Sequence, residues 1–287
     1  MKPATVVSQG RLRGKNIKNM ATEQHRQRPI YDSDENEDHD STTLIRWNNF
    51  DFCGFSLKIA RMMDPRLGIS SYIWDAGISL CQYFEKEDVT FTGKKVIELG
   101  SGTGIVGILA ALLGGHVTIT DKPDTLKQIN SNISINVPFA CRHRLKVRPL
   151  TWGEDQTKFP TDYDFILGSD IVYSSVCYPA LLETLRYLCN QGTTIYLSSE
   201  LRTGNGSIPF HDVILPDYFN CEVVTRLEPK CIAVYKLTKI GTGHVRRVCG
   251  PLSLLAPKKK KENPQSYPSG GFERVMPGSR GPPFGRF

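Results

Sequence analysis

The stretch KKVIELGSGTGIVGILAALLGGHVTITD, residues 94–121, decides the fold. KKVIEL has the length and apolar content of a buried strand, and it ends in a glycine-rich turn. GIVGILAALLGG is typical of an apolar helix with a double-glycine stop, and HVTITD is a second strand that ends at Asp121. Because a strand, helix and strand in this order form a right-handed crossover, the two strands are predicted to be parallel neighbours.

The same alternation continues along the chain. Strands are predicted at LKVRPLTW, YDFILGSD and TTIYLSS, with helices at TLKQINSNISIN and SVCYPALLETLRYLCN between them. Before the central stretch, FCGFSLKIAR is predicted as a strand and YIWDAGISLCQYFEKE as a helix. A helix near residues 208–219 and the strands CEVVTRL and CIAVYKL follow, and the short EPK link between those strands indicates a hairpin. The predicted fold class is α/β, a doubly wound and mostly parallel sheet with a C-terminal antiparallel hairpin.

Composition predicts three parts. Residues 1–45 are polar and lack apolar periodicity, residues 46–240 form the folded domain, and residues 241–287 are rich in proline, glycine and lysine, so both ends are expected to be disordered. The last part carries nine Lys and Arg against two acids, which accounts for the whole net charge of +7. A basic appendage on a neutral body indicates at most weak binding of nucleic acid.

Several classes of protein are disfavoured. No apolar run reaches the roughly 20 residues that span a bilayer, and the basic N-terminus lacks the apolar core of a secretory signal, although a mitochondrial presequence stays open. The eight cysteines are scattered, without a C-x-x-C pair or a histidine cluster, so neither a metal site nor a disulfide framework is expected. We interpret them as reduced thiols of an intracellular protein.

The glycine turn raises two possible ligands. Three of its glycines match the dinucleotide pattern G-x-G-x-x-G, and Asp121 stands where a ribose-binding acid is expected. However, the dinucleotide pattern begins at the first residue after the strand, Gly100, and from there the third glycine position is Ile105. The pattern in register is E-x-G-x-G-x-G, formed by Glu98, Gly100, Gly102 and Gly104. It resembles motif I of the seven-strand S-adenosylmethionine-dependent methyltransferases.

Four further residues are candidates for the site. Trp152 follows the third strand and Trp74 starts the preceding helix, so their rings could lie flat against a ligand, although large aromatic residues are more often simply buried. Asp170 and Tyr173 follow the fourth strand in DIVY, where an acid faces the cleft of such sheets. A helix N-cap is the alternative role for Asp170.

D-x-x-Y at this point resembles a narrower family, the lysine methyltransferases related to methyltransferase-like protein 21. The likeness extends over FCGFSLKI, RLGISSYIWDAGISLCQYFE, the central stretch, LTWG, LGSDIVY and GTTIYLSS, and so covers about residues 50 to 240. Within the family the sequence is most similar to the members that modify elongation factor 1-alpha. The members that modify Hsp70-type chaperones come second. After Tyr173 the chain reads SSVCYP where relatives usually have leucine and glutamate, so the substrate rim is expected to differ.

The resemblance implies a seven-stranded, Rossmann-like domain that uses S-adenosylmethionine to methylate a protein lysine of elongation factor 1-alpha, with an Hsp70-type chaperone as the alternative substrate. A dehydrogenase that uses NAD is the alternative from another class. The resemblance also implies a monomer in the cytoplasm, with the nucleus as a second location, and no metal. The resemblance implies cofactor contacts at Trp74, Gly100, Ser101, Gly102, Asp121, Trp152 and Ser169. The motif I pattern adds Glu98 and Gly104 to the predicted contacts.

The implied catalytic residues are Asp170 and Tyr173. The amine must be neutral to accept a methyl group, and a nearby carboxylate would raise its pKa. Asp170 is therefore assigned to docking the ammonium and orienting the amine after water removes the proton, and Tyr173 to forming a wall of the substrate channel.

Overall fold

A computed structural model describes residues 44–204 and 206–241. The two predicted disordered segments, residues 1–45 and 241–287, lie outside these residues except for their inner ends. The described part corresponds to the predicted domain, residues 46–240.

A seven-stranded sheet forms the centre of the domain, as predicted. Its strands are β3 (Lys95–Leu99), β4 (His116–Asp121), β5 (Leu145–Pro149), β6 (Phe165–Ser169), β7 (Thr194–Glu200), β8 (Phe219–Leu227) and β9 (Ile232–Lys239). They lie in the order β5-β4-β3-β6-β7-β9-β8. The first five are parallel, and β9 is antiparallel to both β7 and β8, which confirms the C-terminal hairpin. The strand order reverses at β3, which places a ligand site at its carboxyl end.

Helices cover both faces of this sheet. They are α1 (Asp75–Lys86), α2 (Ile105–Leu112), α3 (Leu126–Asn136) and α4 (Tyr178–Leu188). The first three contribute to one apolar cluster with Val96, whereas α4 contributes to a second cluster with Ile97 and Leu99. Successive β3 residues thus point to opposite faces, and both faces are covered, which explains why every residue of β3 and β4 after the first is buried.

Two predicted elements are wrong in detail. FCGFSLKIAR does not form one strand: it crosses a hairpin between β1 (Ile45–Phe52) and β2 (Phe55–Met62), a separate two-stranded antiparallel sheet. The helix predicted near residues 208–219 is broken into short helical turns between Ser207 and Asp217, since the hydrogen-bond pattern changes at each proline.

A row of amide side chains on α3 fixes the hairpin to the domain. Gln128, Asn132 and Asn136 lie four residues apart and so share one helix face. Their oxygens accept hydrogen bonds at 2.7–2.8 Å from alternate backbone N–H groups of β2, those of Met62, Ala60 and Lys58. This amide row takes the place of a neighbouring strand at the free edge of β2. An edge whose backbone groups are satisfied in this way does not pair with another chain.

Asn132 carries most of this contact, since its fully buried side chain also donates to the carbonyls of Ala60 at 3.0 Å and Thr103 at 2.9 Å. Asn132→Ala should lower the free energy of unfolding by about 2–4 kcal/mol, because it leaves buried backbone groups without partners. Asn130→Ala, at an exposed position two residues away, should stay within about 0.5 kcal/mol of the unchanged protein. Urea denaturation measures both, and equal stabilities of the two variants would contradict this role.

Candidate functional site

A cleft of about 770 Å³ opens at the carboxyl ends of the central strands. The residues that directly follow strands β3, β4 and β6 line this cleft, as the topology predicts. Of the predicted site residues, the cleft is lined by Trp74, Gly100, Ser101, Gly102, Asp121, Trp152, Ser169, Asp170 and Tyr173. The structure therefore brings together residues that lie up to a hundred positions apart in the sequence.

The turn after β3 packs closely against its neighbours. Gly100 and Gly102 both have positive φ, at 59° and 56°, which favours glycine. A Cβ atom on Gly100 would lie 2.8 Å from Ile171 Cγ2 and 3.0 Å from Trp152 Cζ2, and one on Gly102 would lie 3.2 Å from the Ser70 carbonyl oxygen. No side chain fits at either position, so the turn packs directly against Trp152, Ile171 and the backbone at Ser70, all of which line the cleft.

Asp121 ends β4 with its carboxylate held by two backbone groups. Gly102 N–H donates to Oδ2 and Lys122 N–H donates to Oδ1, both at 2.7 Å. Burial raises the pKa of the carboxyl group, and these two hydrogen bonds work in the opposite direction by favouring the ionised form. Each oxygen keeps a further lone pair, so the carboxylate can accept from a pair of hydroxyl groups such as those of a ribose.

Both tryptophans present an aromatic ring to the cleft. Trp74 is 36% exposed, caps the start of α1 and donates its indole N–H to the Ile69 carbonyl at 3.1 Å. Trp152 is partly buried against the α4-side core, and its ring edge lies beside Gly100. The alternative of a wholly buried core residue therefore fits neither side chain, although Trp152 contributes to both the core and the cleft.

Glu98 and Gly104 were predicted to contact the cofactor, but neither lines the cleft. Glu98 is 1% exposed, its Oε2 accepts from Gly107 N–H at 3.0 Å, and burial raises its pKa well above the usual range. Gly104 caps the start of α2 with φ of 79°. Both residues therefore fix the junction of the turn with α2, because the strand alternation directs Glu98 into the interior rather than towards a ligand.

Ser101 and Ser169 contribute small side chains to the lining. Ser101 is 7% exposed, and its hydroxyl oxygen has no hydrogen-bond partner among the residues that the structure describes. Ser169 ends β6 opposite Gly77, where an added Cβ atom would lie 3.3 Å from the serine hydroxyl. The tight fit explains why small residues stand at these positions.

Asp170 lies directly after β6, in a backbone conformation that is rare for a non-glycine residue, with φ of 51°. Its N–H donates to the Ser198 carbonyl at 2.7 Å, so it continues the sheet edge and does not cap a helix. The carboxylate is almost fully buried, with 4% exposure, and forms an ion pair with Arg202 at 2.9 Å. The predicted docking of an ammonium assumed that the Asp170 carboxylate is unpaired. In the structure the carboxylate is already paired with Arg202.

Tyr173 stands at the cleft mouth, with 37% of its surface exposed. Partial burial raises the pKa of its phenol, so the hydroxyl group stays protonated at neutral pH. A neutral ring at this position is compatible with the wall of a channel, and that role stays a prediction.

The sequence did not single out Arg202, which also lines the cleft. It follows β7 by two residues, in SSELR, and β7 lies beside the strand that leads to Asp170. The available signal was that a cation and an acid follow the carboxyl ends of two neighbouring strands. It was weak, because the pairing spans 32 residues of sequence.

Within residues 44–204 and 206–241, no group of His, Cys, Asp and Glu side chains could hold a metal ion, and no helix is long and apolar enough to cross a membrane.

Comparison with known proteins connects this cleft to a family. The family described as "Lysine methyltransferase" matches residues 55–213. Over 199 residues the chain is 49% identical to EEF1A lysine methyltransferase 3 of Xenopus tropicalis, covering 69% of this chain and 88% of that protein. The protein of the same name from Mus musculus is 50% identical over 66% of this chain and 81% of its own length. Protein N-lysine methyltransferase METTL21A of Xenopus tropicalis is 43% identical over 57% of this chain and 73% of its own length.

The glycine turn gives a direct test of the cleft. Gly100→Ala should weaken binding of S-adenosylmethionine by about tenfold or more, because the added methyl group displaces Trp152 or Ile171. Gly93→Ala is the matched control, since Gly93 also has positive φ, at 70°, but an added Cβ there meets nothing within 4 Å. Both variants carry the same kind of backbone strain, and calorimetric titration should show normal affinity for Gly93→Ala alone. Equal affinities would mean that the turn does not contact the cofactor.

Proposed function

Because the chain belongs to the lysine methyltransferase family, we propose that its substrate is a lysine of elongation factor 1-alpha. The reaction is transfer of a methyl group from S-adenosylmethionine to a protein lysine, and this membership favours the methyltransferase interpretation of the glycine turn over the NAD-dependent one. One observation carries the choice of substrate: the identity of 49% over 88% of a relative named for EEF1A.

The residues of the cleft fit the cofactor. The turn at Gly100 and Gly102 has no room for a side chain, and the Asp121 carboxylate is held ready to accept hydroxyl groups. Trp74 and Trp152 would supply flat apolar surface, and Ser101 and Ser169 would supply small walls. S-adenosylmethionine supplies a methyl group that is already activated on a sulfonium, so transfer to an amine depends on alignment more than on acid–base chemistry.

The chain's own residues must bring a neutral amine into line. A lysine with a pKa of about 10.4 is neutral in only about one molecule in a thousand near pH 7.4, so the site must favour loss of the proton. Entry into a partly apolar cleft removes water from the ammonium and lowers its pKa. Tyr173 forms one wall of this entry, and Asp170 lies at its base beside Arg202.

The mouth of the cleft suits a protein substrate. Its lining includes exposed large apolar residues on both sides, namely Ile69, Tyr72, Trp74, Tyr173 and Val176. Exposed apolar residues gathered at one opening are typical of surfaces that contact other proteins. We propose that the segment carrying the target lysine binds across this rim.

We also propose that the enzyme acts as a monomer in the cytoplasm, with the nucleus as a second location. The seven cysteines among the described residues are all free thiols, which supports a reducing compartment. The basic segment after residue 241 lies outside the described residues, and weak nucleic-acid binding through it stays a prediction.

Incubation of the full chain with radiolabelled S-adenosylmethionine and a cell extract tests the proposed substrate. We expect one dominant labelled protein, identified by mass spectrometry as elongation factor 1-alpha with the label on a lysine side chain. Purified elongation factor 1-alpha should be labelled at the same lysine, and the same factor already methylated in full should not accept label. Label on an Hsp70-type chaperone instead would support the alternative substrate and overturn the first.

A further inference from the structure

The guanidinium of Arg202 joins three parts of the domain at the cleft. It donates to both carboxylate oxygens of Asp170, at 2.9 Å from Nη2 and 3.4 Å from Nη1. It also forms an ion pair with Glu200, the last residue of β7, and its Cζ lies 5.4 Å from the ring centroid of Trp74. Two carboxylates and an aromatic ring therefore hold the planar guanidinium in one orientation. A lysine ammonium, which is not planar, would be held less firmly by the same groups.

The burial of Asp170 makes this partner necessary. A carboxylate with 4% exposure loses nearly all its hydration, and besides Arg202 it accepts from the Glu200 N–H at 3.2 Å. An unpaired carboxylate in such a place would attract the nearest cation strongly. In a methyltransferase cleft that cation is the substrate ammonium, whose proton must leave before the methyl group can arrive.

Arg202 reverses this effect. With the guanidinium in place the charge of Asp170 is compensated, and the amine approaches a paired carboxylate rather than a bare one. A positive charge close to the amine also favours its neutral form. The reaction needs a neutral amine, and the position of Arg202 favours one.

Three other charged groups at or near the cleft have partners of their own. Arg66 pairs with Asp64 at 2.7 Å, and Asp75 at the start of α1 pairs with Lys230 at 3.1 Å. Asp121 is held by backbone N–H groups on the far side of the glycine turn. The remaining titratable or charged groups of the lining are Tyr72, Lys122, Asp124, Tyr173 and Cys177. Glu200 does not line the cleft, and it stands on the outer side of Arg202 with 39% exposure, where solvent screens it.

We propose that Arg202 is a positioning residue that holds the Asp170 carboxylate as a compensated ion pair, so that the substrate lysine is oriented at Asp170 without being kept as an ammonium. This inference rests on the proposed function and adds to it the group that controls the protonation of the substrate. Water takes the proton from the amine before transfer, and the ion pair between Arg202 and Asp170 stays in place.

The pH dependence of kcat tests the inference. With purified elongation factor 1-alpha as substrate, Arg202→Gln should shift the rising limb of kcat by about one pH unit to higher pH, and so lower kcat about tenfold at pH 7.5. The sign follows because an uncompensated carboxylate raises the pKa of the bound amine, which delays its deprotonation. Arg202→Lys restores the charge without the fork geometry, and it should return the limb to within about 0.3 pH units of the unchanged enzyme at reduced kcat.

Two further variants separate this effect from a loss of structure. Arg186→Gln removes an arginine that lies 4.7 Å over the Tyr218 ring, away from the cleft, and should leave the profile unchanged. In an Asp170→Asn background, Arg202→Gln should shift the limb little, since no carboxylate is left to compensate. A purely structural role for Arg202 predicts instead that kcat falls by the same factor at every pH and in both backgrounds, and that result would overturn the inference. If Arg202→Gln does not fold, Arg202→Met, which keeps the apolar stem without the charge, replaces it, and its rising limb should shift to higher pH in the same way.

Failure of the proposed substrate gives a different result. If the unchanged enzyme labels another extract protein and leaves elongation factor 1-alpha unlabelled, the choice of substrate is wrong, and the same profiles are recorded on the protein that is labelled. If elongation factor 1-alpha is labelled and the profiles of the variants stay parallel, the substrate stands and the role of Arg202 is wrong.

Discussion

The Asp121 carboxylate is the contact on which the rest of the site depends. It joins the end of β4 to the turn after β3 through the Gly102 N–H, and its second oxygen accepts from the next residue of its own chain. A second hydrogen bond, from the Ser101 N–H to the Thr120 carbonyl at 3.1 Å, joins the same turn to β4. The same carboxylate that shapes the turn lines the cleft, so under the proposed function folding and cofactor recognition share one charged group.

The amide row of α3 extends this constraint to the rim of the cleft. Gln128 is fully buried, and its amide nitrogen donates to the carbonyls of Ser70 at 2.9 Å and Gly102 at 3.3 Å, while Asn132 donates to Thr103. The glycine turn, the rim segment around Ser70 and the edge of β2 are thus held by one helix face. A buried amide network is stable only when every donor and acceptor in it has a partner. Replacing one of these amides should therefore also disturb the position of the glycine turn.

The central unit of the fold could be predicted from sequence because its signals are local. The strand, glycine turn, helix and second strand follow one another within residues 94–121, and the cleft collects the residues that end these strands. The β1–β2 turn was missed because Cys53 lies in the two-residue loop and yet continues the apolar alternation of Phe55, Leu57 and Ile59. Arg202 was missed for another reason. Its meaning comes from partners on other elements, and no spacing in the sequence records a side-chain pairing between two strand ends.

The most direct test of this account is a calorimetric titration of S-adenosylmethionine and NAD into the full chain, Asp121→Asn and Asp124→Asn. Asp124 lies three residues further on, lines the same cleft and is exposed, so its variant controls for a general loss of negative charge. The account predicts that S-adenosylmethionine binds and NAD does not, and that Asp121→Asn weakens binding about 100-fold, or about 2.7 kcal/mol, while Asp124→Asn changes it little. Binding of NAD, or affinity for S-adenosylmethionine that is the same with and without the Asp121 carboxylate, would contradict it.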